Sequence, residues 1–259
     1  EVEGIRRSGL TVLVDSMFGS GSGFFLKLLG GGSTEVIELR EERNPGFPGM
    51  LQPEPLAQNL EILSSKVVEN GADIGLATDG DADRLGIVDE NGKFVTTLQC
   101  FALLCLYHLE VLGKRGPLVR TITMTSMVDR LSEIYDVPVY DTRVGFQHLG
   151  PLMIEKDALI AGEESGGYAF RGNIPERDGI LSGLMVLDMM VRTGKTLSQL
   201  LDLLYSKVVP HEYDRLDLRF DPSERQKIQQ RMEKSHPSFL AGRRVESIDV
   251  RDGLRFVLE

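Results

Sequence analysis

The sequence contains no apolar run approaching the ~18 residues that a membrane-spanning helix requires, which excludes helical membrane insertion. Its first residues, Glu1-Val2-Glu3-Gly4-Ile5-Arg6, carry neither a basic flank nor an apolar h-region, so nothing points to secretion. An initiator Met is lacking too, and the chain is expected to be part of a longer polypeptide. There is no basic excess: the net charge is -10 and the basic residues are scattered. That balance repels nucleic-acid backbones and anionic membranes, and leaves room only for a small local anion site. Only two cysteines occur, Cys100 and Cys105, both inside the apolar stretch from Leu98 to Leu112. They read as buried thiols on a helix of a reduced, cytoplasmic protein rather than as a disulfide or a metal pair. Tandem repeats and low-complexity segments are absent.

What is present is the composition of a soluble globular protein, with 41% hydrophobic and 26% charged residues in 259. That length accommodates two ordinary domains with some chain to spare. Leu10 to Asp15 reads as a buried strand, followed by a glycine turn (Gly19 to Gly23) and a helix from about Phe24 to Leu29. The turn is not a dinucleotide fingerprint, because Phe24 and Phe25 displace its final glycine. Val36 to Leu39 is a second strand, and the four prolines and two glycines of Arg40 to Pro55 mark a long surface connection. Leu56, Leu60, Leu63 and Val67 recur at helical spacing. A strand from Ala72 to Ala77 leads into an acidic loop, and Asn91-Gly92 centres a tight hairpin.

The alternation restarts near residue 97. It gives a helix through Leu112, a strand Leu118 to Ile122, a helix Met127 to Tyr135 and a strand Val137 to Tyr140. A helix running to Lys156, a strand Leu159 to Ala161, and helices Gly179 to Arg192 and Leu197 to Val208 follow. Two such series predict two consecutive α/β domains with mixed, mostly parallel sheets. The tail differs. His211 to Phe220 alternates like a strand, Asp221 or Ser223 caps a charged helix, and a hairpin turns at Asp252-Gly253. This partial α+β segment of about 49 residues is too short to bury a good core alone.

The most informative segment is Thr78-Asp79-Gly80-Asp81-Ala82-Asp83-Arg84. Three carboxylates alternate with the two smallest residues, so the acids can converge on one point. Two like charges 4 Å apart repel by ~4 kcal/mol at an effective dielectric of 20, and a hard divalent cation relieves that repulsion. Magnesium commonly takes carboxylates together with a phosphate oxygen, and Arg84 is placed to answer a phosphate or steady the acids. An EF-hand matches Asp79, Asp81, Asp83 and Glu90, but Arg84 occupies its glycine position and strands flank the loop. An Asp-x-Asp phosphatase leaves the third Asp and Arg84 unexplained, and a solvated acidic turn is the bland alternative. A second loop, Gly162-Glu163-Glu164-Ser165-Gly166-Gly167-Tyr168, sets carboxylates beside a hydroxyl, a pairing suited to the adjacent hydroxyls of a sugar.

Taken in order, Gly-Phe-Pro, Gln-Pro-Glu-Pro, Asp-Gly-Asp-Ala-Asp-Arg, Thr-x-Val-Gly-Phe, Gly-Glu-Glu-Ser-Gly-Gly and Glu-Arg-Asp-Gly resemble the α-D-phosphohexomutases, the phosphoglucomutases and phosphomannomutases. The resemblance covers nearly the whole chain. It implies the second of four domains at residues 1–97, the third at 98–209 and the opening of the fourth at 210–259. It further implies Mg2+ held by Asp79, Asp81 and Asp83, completed by a phosphoserine of the first domain, with catalytic Arg84 beside the reacting phosphoryl group. Glu163 and Ser165 are expected at sugar O3 and O4, with Thr142, Val144, Gly145 and Arg177 as further substrate contacts. The implied reaction interconverts hexose 1-phosphate and hexose 6-phosphate through a 1,6-bisphosphate.

Departures accompany the match. Gln147 stands where many members carry Lys, so one cationic contact is missing or comes from Arg143, and Tyr168 follows the double glycine where some relatives have His after the first. Neither the serine loop Thr-Ala-Ser-His-Asn-Pro nor the clamp Arg-x-Ser-Gly-Thr is among these residues. The expectation is therefore a fragment inactive by itself, with the first and fourth domains missing. The alternatives are a non-catalytic sugar-phosphate or metal-binding module, and a phosphoglucosamine mutase. The last of these tends to carry Gln at the position of Glu164 and His at that of Gly167.

Overall fold

The computed structural model describes residues 2–259 apart from 215, 217 and 219. Five strands form the first sheet: β1 (Thr11–Asp15), β2 (Glu35–Leu39), β3 (Ile74–Thr78), β4 (Leu85–Asp89) and β5 (Phe94–Val95), in the order β2-β1-β3-β4-β5. The pairings of β1 with β2 and β3 are parallel, whereas β4 and β5 add antiparallel. The β4–β5 hairpin turns where Asn91-Gly92 predicts it: Gly92 has φ +77°, and the amides of Asn91 and Lys93 both donate to Asp89 Oδ1.

Strand alternation decides what each face buries. Val12, Val14, Ile74, Leu76, Leu85 and Ile87 point to one core, while Leu13, Ala77 and Val88 point to the other. The second face receives Leu60, Leu63 and Val67. Helices on this side of the chain are α1 (Val2–Arg6), α2 (Phe24–Leu29) and α3 (Glu61–Asn70). The helical spacing that includes Leu56 begins as a short 3-10 turn, Ala57–Asn59, and becomes α-helical only at Glu61. Helix α1 is only five residues long, and nothing in the sequence pattern announced it.

The second sheet has the order β7-β6-β8-β9, from β6 (Leu118–Thr121), β7 (Val139–Thr142), β8 (Ile160–Gly162) and β9 (Tyr168–Phe170). Strands β7 and β8 flank β6 in parallel, and β9 returns antiparallel. Val119, Ala161 and Ala169 face α6 (Phe146–Glu155), while Leu118, Ile160, Tyr168 and Phe170 face the opposite core. That core also takes in residues of α4 (Thr97–Leu106), α5 (Met127–Tyr135), α7 (Gly179–Thr193) and α8 (Leu197–Val208). Every residue of α4 except Gln99 is buried, as a helix that is apolar all round requires. Its two cysteines are free and buried, and burial pushes the Cys100 thiol up to about 12. The helix expected through Leu112 ends its regular part at Leu106 and continues as a π-turn, Tyr107–Val111.

Helix α7 follows the second sheet in sequence yet lies across the first, where a Cβ at Gly183 would come within 2.7 Å of the Phe25 ring. One apolar core therefore runs through both sheets. The C-terminal segment holds α9 (Arg225–Glu233) and a sheet of β10 (Phe239–Leu240), β11 (Arg243–Asp249) and β12 (Arg255–Leu258). Asp221 caps the turn before α9 by accepting from the Ser223 amide. The strand expected from His211 to Phe220 falls partly outside the described residues, and its described residues belong to no strand. No helix among the described residues is long and apolar enough to cross a membrane.

Candidate functional site

Each parallel core has a point where the chain leaves one strand to the left and the next to the right. In the first sheet it lies between β1 and β3, in the second between β6 and β8. Crevices at the carboxyl ends of such strand pairs are where α/β sheets take ligands. The acidic loop leaves β3 there, and the Glu163 loop leaves β8.

The acidic loop is shaped from beneath. Gly19 and Gly21 sit against it so closely that a Cβ would meet Asp79 O at 2.8 Å and Thr78 Oγ1 at 2.5 Å. The Ser20 amide donates to Gly80 O at 3.0 Å. Ala82 takes a left-handed backbone, φ +64°, which costs roughly 1–2 kcal/mol for a residue with a Cβ. In return, carboxylate oxygens of Asp79, Asp81 and Asp83 lie within 4.8 Å of one another. The amides of Asp83 and Arg84 donate to Asp79 Oδ1 at 3.0 and 3.1 Å. Burial pushes Asp79 up from 3.8 to about 7 against the pull of the Arg84 amide, and the charges of Asp83 and Asp81 add to the rise. Burial also raises Asp83, with Arg177 opposing. Asp83 Oδ1 is buried with no hydrogen-bond partner among the described residues. Three converging carboxylates with an orphaned acceptor among them fit a hard divalent cation.

The second loop is bound to the first. The Leu85 amide donates to Gly166 O at 2.9 Å, and Arg84 bridges Gly167 in antiparallel fashion. Arg177 spans both: Nη2 lies 2.7 Å from Asp83 Oδ2 and Nη1 3.0 Å from Glu163 Oε1. Ser165 Oγ donates to the same Glu163 oxygen at 2.6 Å. Glu163 is buried, and Ser165 half-buried. Gly167 makes room for this arrangement, since a Cβ there would strike the Arg177 side chain at 2.2 Å. Behind Arg177, the Gly179 amide that opens α7 donates to Ala82 O at 3.1 Å.

The family model described as "Phosphoglucomutase/phosphomannomutase, alpha/beta/alpha domain II" matches residues 1–92, and that for domain III matches residues 98–208. This chain belongs to the phosphoglucomutase/phosphomannomutase family. It is 30% identical to a phosphoglucomutase/phosphomannomutase of Thermococcus kodakarensis over its whole length, which is 54% of that protein. It is 36% identical over 202 residues to a phosphoglucosamine mutase of Nitratidesulfovibrio vulgaris, 74% of this chain and 42% of the relative. A crystal structure from Thermus thermophilus, provisionally named phosphomannomutase, superposes with a TM-score of 0.85 at 32% identity, covering all of this chain and 55% of that one. The chain thus spans about half the length of the relatives it matches.

For this phosphohexomutase-family chain, the structure brings Asp79, Asp81, Asp83, Arg84, Glu163, Ser165 and Arg177 into one cluster. Thr142, Val144 and Gly145 lie at the end of β7, next to Phe146, whose ring centroid is 5.6 Å from the Arg177 guanidinium. Gly145 has φ +111°, and the Val144 amide is taken by Asp252 Oδ2 at 2.8 Å, from the C-terminal hairpin. Gln147 folds its amide back over Gly145. Glu54 is the side chain that sequence reasoning left without a role. Its Oε1 lies 3.1 Å from Arg84 Nη1, while Arg84 Nε lies 3.4 Å from Asp79 Oδ2 without a hydrogen bond. The neighbouring Pro53 and the Phe47 ring pack on Gly80. The Gln-Pro-Glu-Pro and Gly-Phe-Pro motifs were the available signal.

Proposed function

We propose that this chain forms the metal-binding and sugar-binding walls of a phosphohexomutase that interconverts hexose 1-phosphate and hexose 6-phosphate. The observation that carries this reading is Arg177, which ties Asp83 of the acidic loop to Glu163 of the second loop in one cluster. In this reading Asp79, Asp81 and Asp83 hold Mg2+, a metal that when bound neutralises charge on phosphoryl oxygens. Arg84, steadied by Glu54, faces the transferring group. Glu163 accepts from one sugar hydroxyl, and Ser165 serves its neighbour as donor or acceptor. Thr142, Val144 and Gly145 form a second contact strip, and Arg177 positions both loops.

The phosphoryl donor is a phosphoserine outside these residues, and the sugar bisphosphate turns round before returning its other phosphoryl group. A loop that reads mainly two adjacent hydroxyls tolerates both orientations. Glucosamine phosphate is the second candidate substrate, because relatives of 35–36% identity carry that name. The test is a set of coupled assays on the polypeptide with its flanking domains, using glucose, mannose and glucosamine 1-phosphates. Turnover of at least one, lost in Asp81→Asn, supports the reading. Failure of all three, with the protein folded and metal-loaded, rejects it in favour of a non-catalytic binding module.

A further inference from the structure

A second cluster lies at the opposite end of β8 and β9 from Glu163. The π-turn Tyr107–Val111 places His108 at the wall of a cavity of about 250 Å³, also bounded by Lys114, Arg115, Leu159 and Arg171. Single π-turns inside helices concentrate at functional sites. His108 is 2% exposed, and among the described residues neither ring nitrogen has a hydrogen-bond partner. Two rings pack beside it, Phe170 at 5.6 Å and Tyr107 at 5.5 Å between centroids. A buried imidazole with both nitrogens unsatisfied is unusual in a native interior and calls for a ligand or a reason.

The surroundings select the sign of that ligand. Three cationic side chains meet at one cavity in a chain of net charge -10. Among the described residues, Lys114 pairs with no carboxylate. Arg171 Nε lies 3.1 Å from Oδ1 of the exposed Asp157. Arg115 donates to Leu109 O and Lys114 O through Nη1, and its guanidinium carbon lies 5.3 Å from the Tyr135 ring centroid. Burial first, and then the charges of Lys114 and Arg171, hold His108 neutral, so it brings no charge of its own to the cavity wall and serves as a reporter there.

We infer that this cavity is a second anion site, distinct from the acidic loop, and that it takes a small phosphate-bearing molecule. Guanidinium and ammonium groups lining one cavity match the several terminal oxygens of a phosphate better than a single carboxylate. The volume holds a phosphate group with a small body attached. Leu159 precedes β8 and Arg171 follows β9, so each is separated from the Glu163–Gly167 loop by one three-residue strand.

The test follows the imidazole signals of the 15N-labelled, metal-free chain while inorganic phosphate, or in a second arm glycerol phosphate, is added at constant ionic strength. His108→Gln identifies the His108 signal among the four histidines. The expected result is a saturable shift of His108 with His148, His211 and His236 unmoved. Lys114→Gln and Arg171→Gln, both at exposed positions, each weaken binding roughly tenfold, the loss of one charge-assisted contact. Tighter binding of glycerol phosphate than of phosphate assigns the site to an ester, and the reverse assigns it to the free anion. An unmoved His108 in both arms, or equal binding by wild type and both variants, overturns the inference.

Discussion

Arg177 Nη2 lies 2.7 Å from Asp83 Oδ2, so a cation from the second sheet's side of the molecule already rests on one of the three carboxylates offered to a metal. The same guanidinium holds Glu163. In the proposed reading it competes with the metal for Asp83 and orients the loop assigned to the sugar hydroxyls.

Arg177→Gln therefore has opposite effects on metal and on turnover. Removing the competing charge tightens Mg2+ binding to this chain several-fold, read by isothermal titration. In the polypeptide with its flanking domains, freeing Glu163 lowers kcat/KM roughly a hundredfold. Arg177→Lys restores part of the activity. Weaker Mg2+ binding in Arg177→Gln would show that Arg177 organises the aspartates rather than opposing the ion.

The acidic loop gives the metal-free chain a defined pH dependence. Asp79 rises from 3.8 to about 7 in the fold, so the folded state binds more protons than the unfolded state between those values. The associated stability is fully present below about pH 4 and is lost as pH climbs through 7, on the order of a few kcal/mol. Asp79→Asn removes this term. Its melting temperature without metal is expected to exceed that of wild type at pH 8 and to approach it at pH 5, while Mg2+ no longer raises it. Equal pH profiles for the two proteins would contradict the burial of the Asp79 charge.

Gly167→Ala tests the fit between the loops. Its Cβ collides with Arg177 at 2.2 Å, and the flexible side chain is the part that yields. The fold survives with a loss of about 1 kcal/mol, while the Arg177 contacts break and activity falls in the same direction as in Arg177→Gln. Unchanged activity would mean that the bridge is dispensable.

Glu54→Gln removes the carboxylate beside Arg84 Nη1 and leaves Asp79 and Asp83 beside its Nε. Activity is expected to fall roughly tenfold with the melting temperature unchanged, because the pair is half-exposed and contributes little to stability. A large drop in melting temperature would instead make Glu54 a structural residue.

Much of this was legible beforehand. Alternating acids bounded by Thr78 and Arg84, and the Asn91-Gly92 hairpin, are local patterns whose geometry follows from residue size and turn chemistry. Partners brought together by the chain's return were not. Tyr168–Phe170 is a strand of three residues, too short for any alternation to register, and only its pairing with β8 defines it. The apolar pattern from Leu98 to Leu112 does not distinguish an α-turn from the π-turn that aims His108. The turn Gly19 to Gly23 read as a bend, yet Gly19 and Gly21 are small because the acidic loop rests on them. Glu54 had a motif but no neighbour until Arg84 supplied one.

The central claim is that Asp79, Asp81 and Asp83 gather one divalent ion facing Glu163 and Ser165. Anomalous scattering from crystals of this chain soaked in Mn2+, a stand-in for Mg2+, tests it most directly. A single strong peak is expected at about 2.2 Å from one oxygen of each aspartate. A peak elsewhere, or none at that loop with the ion in excess, would contradict it.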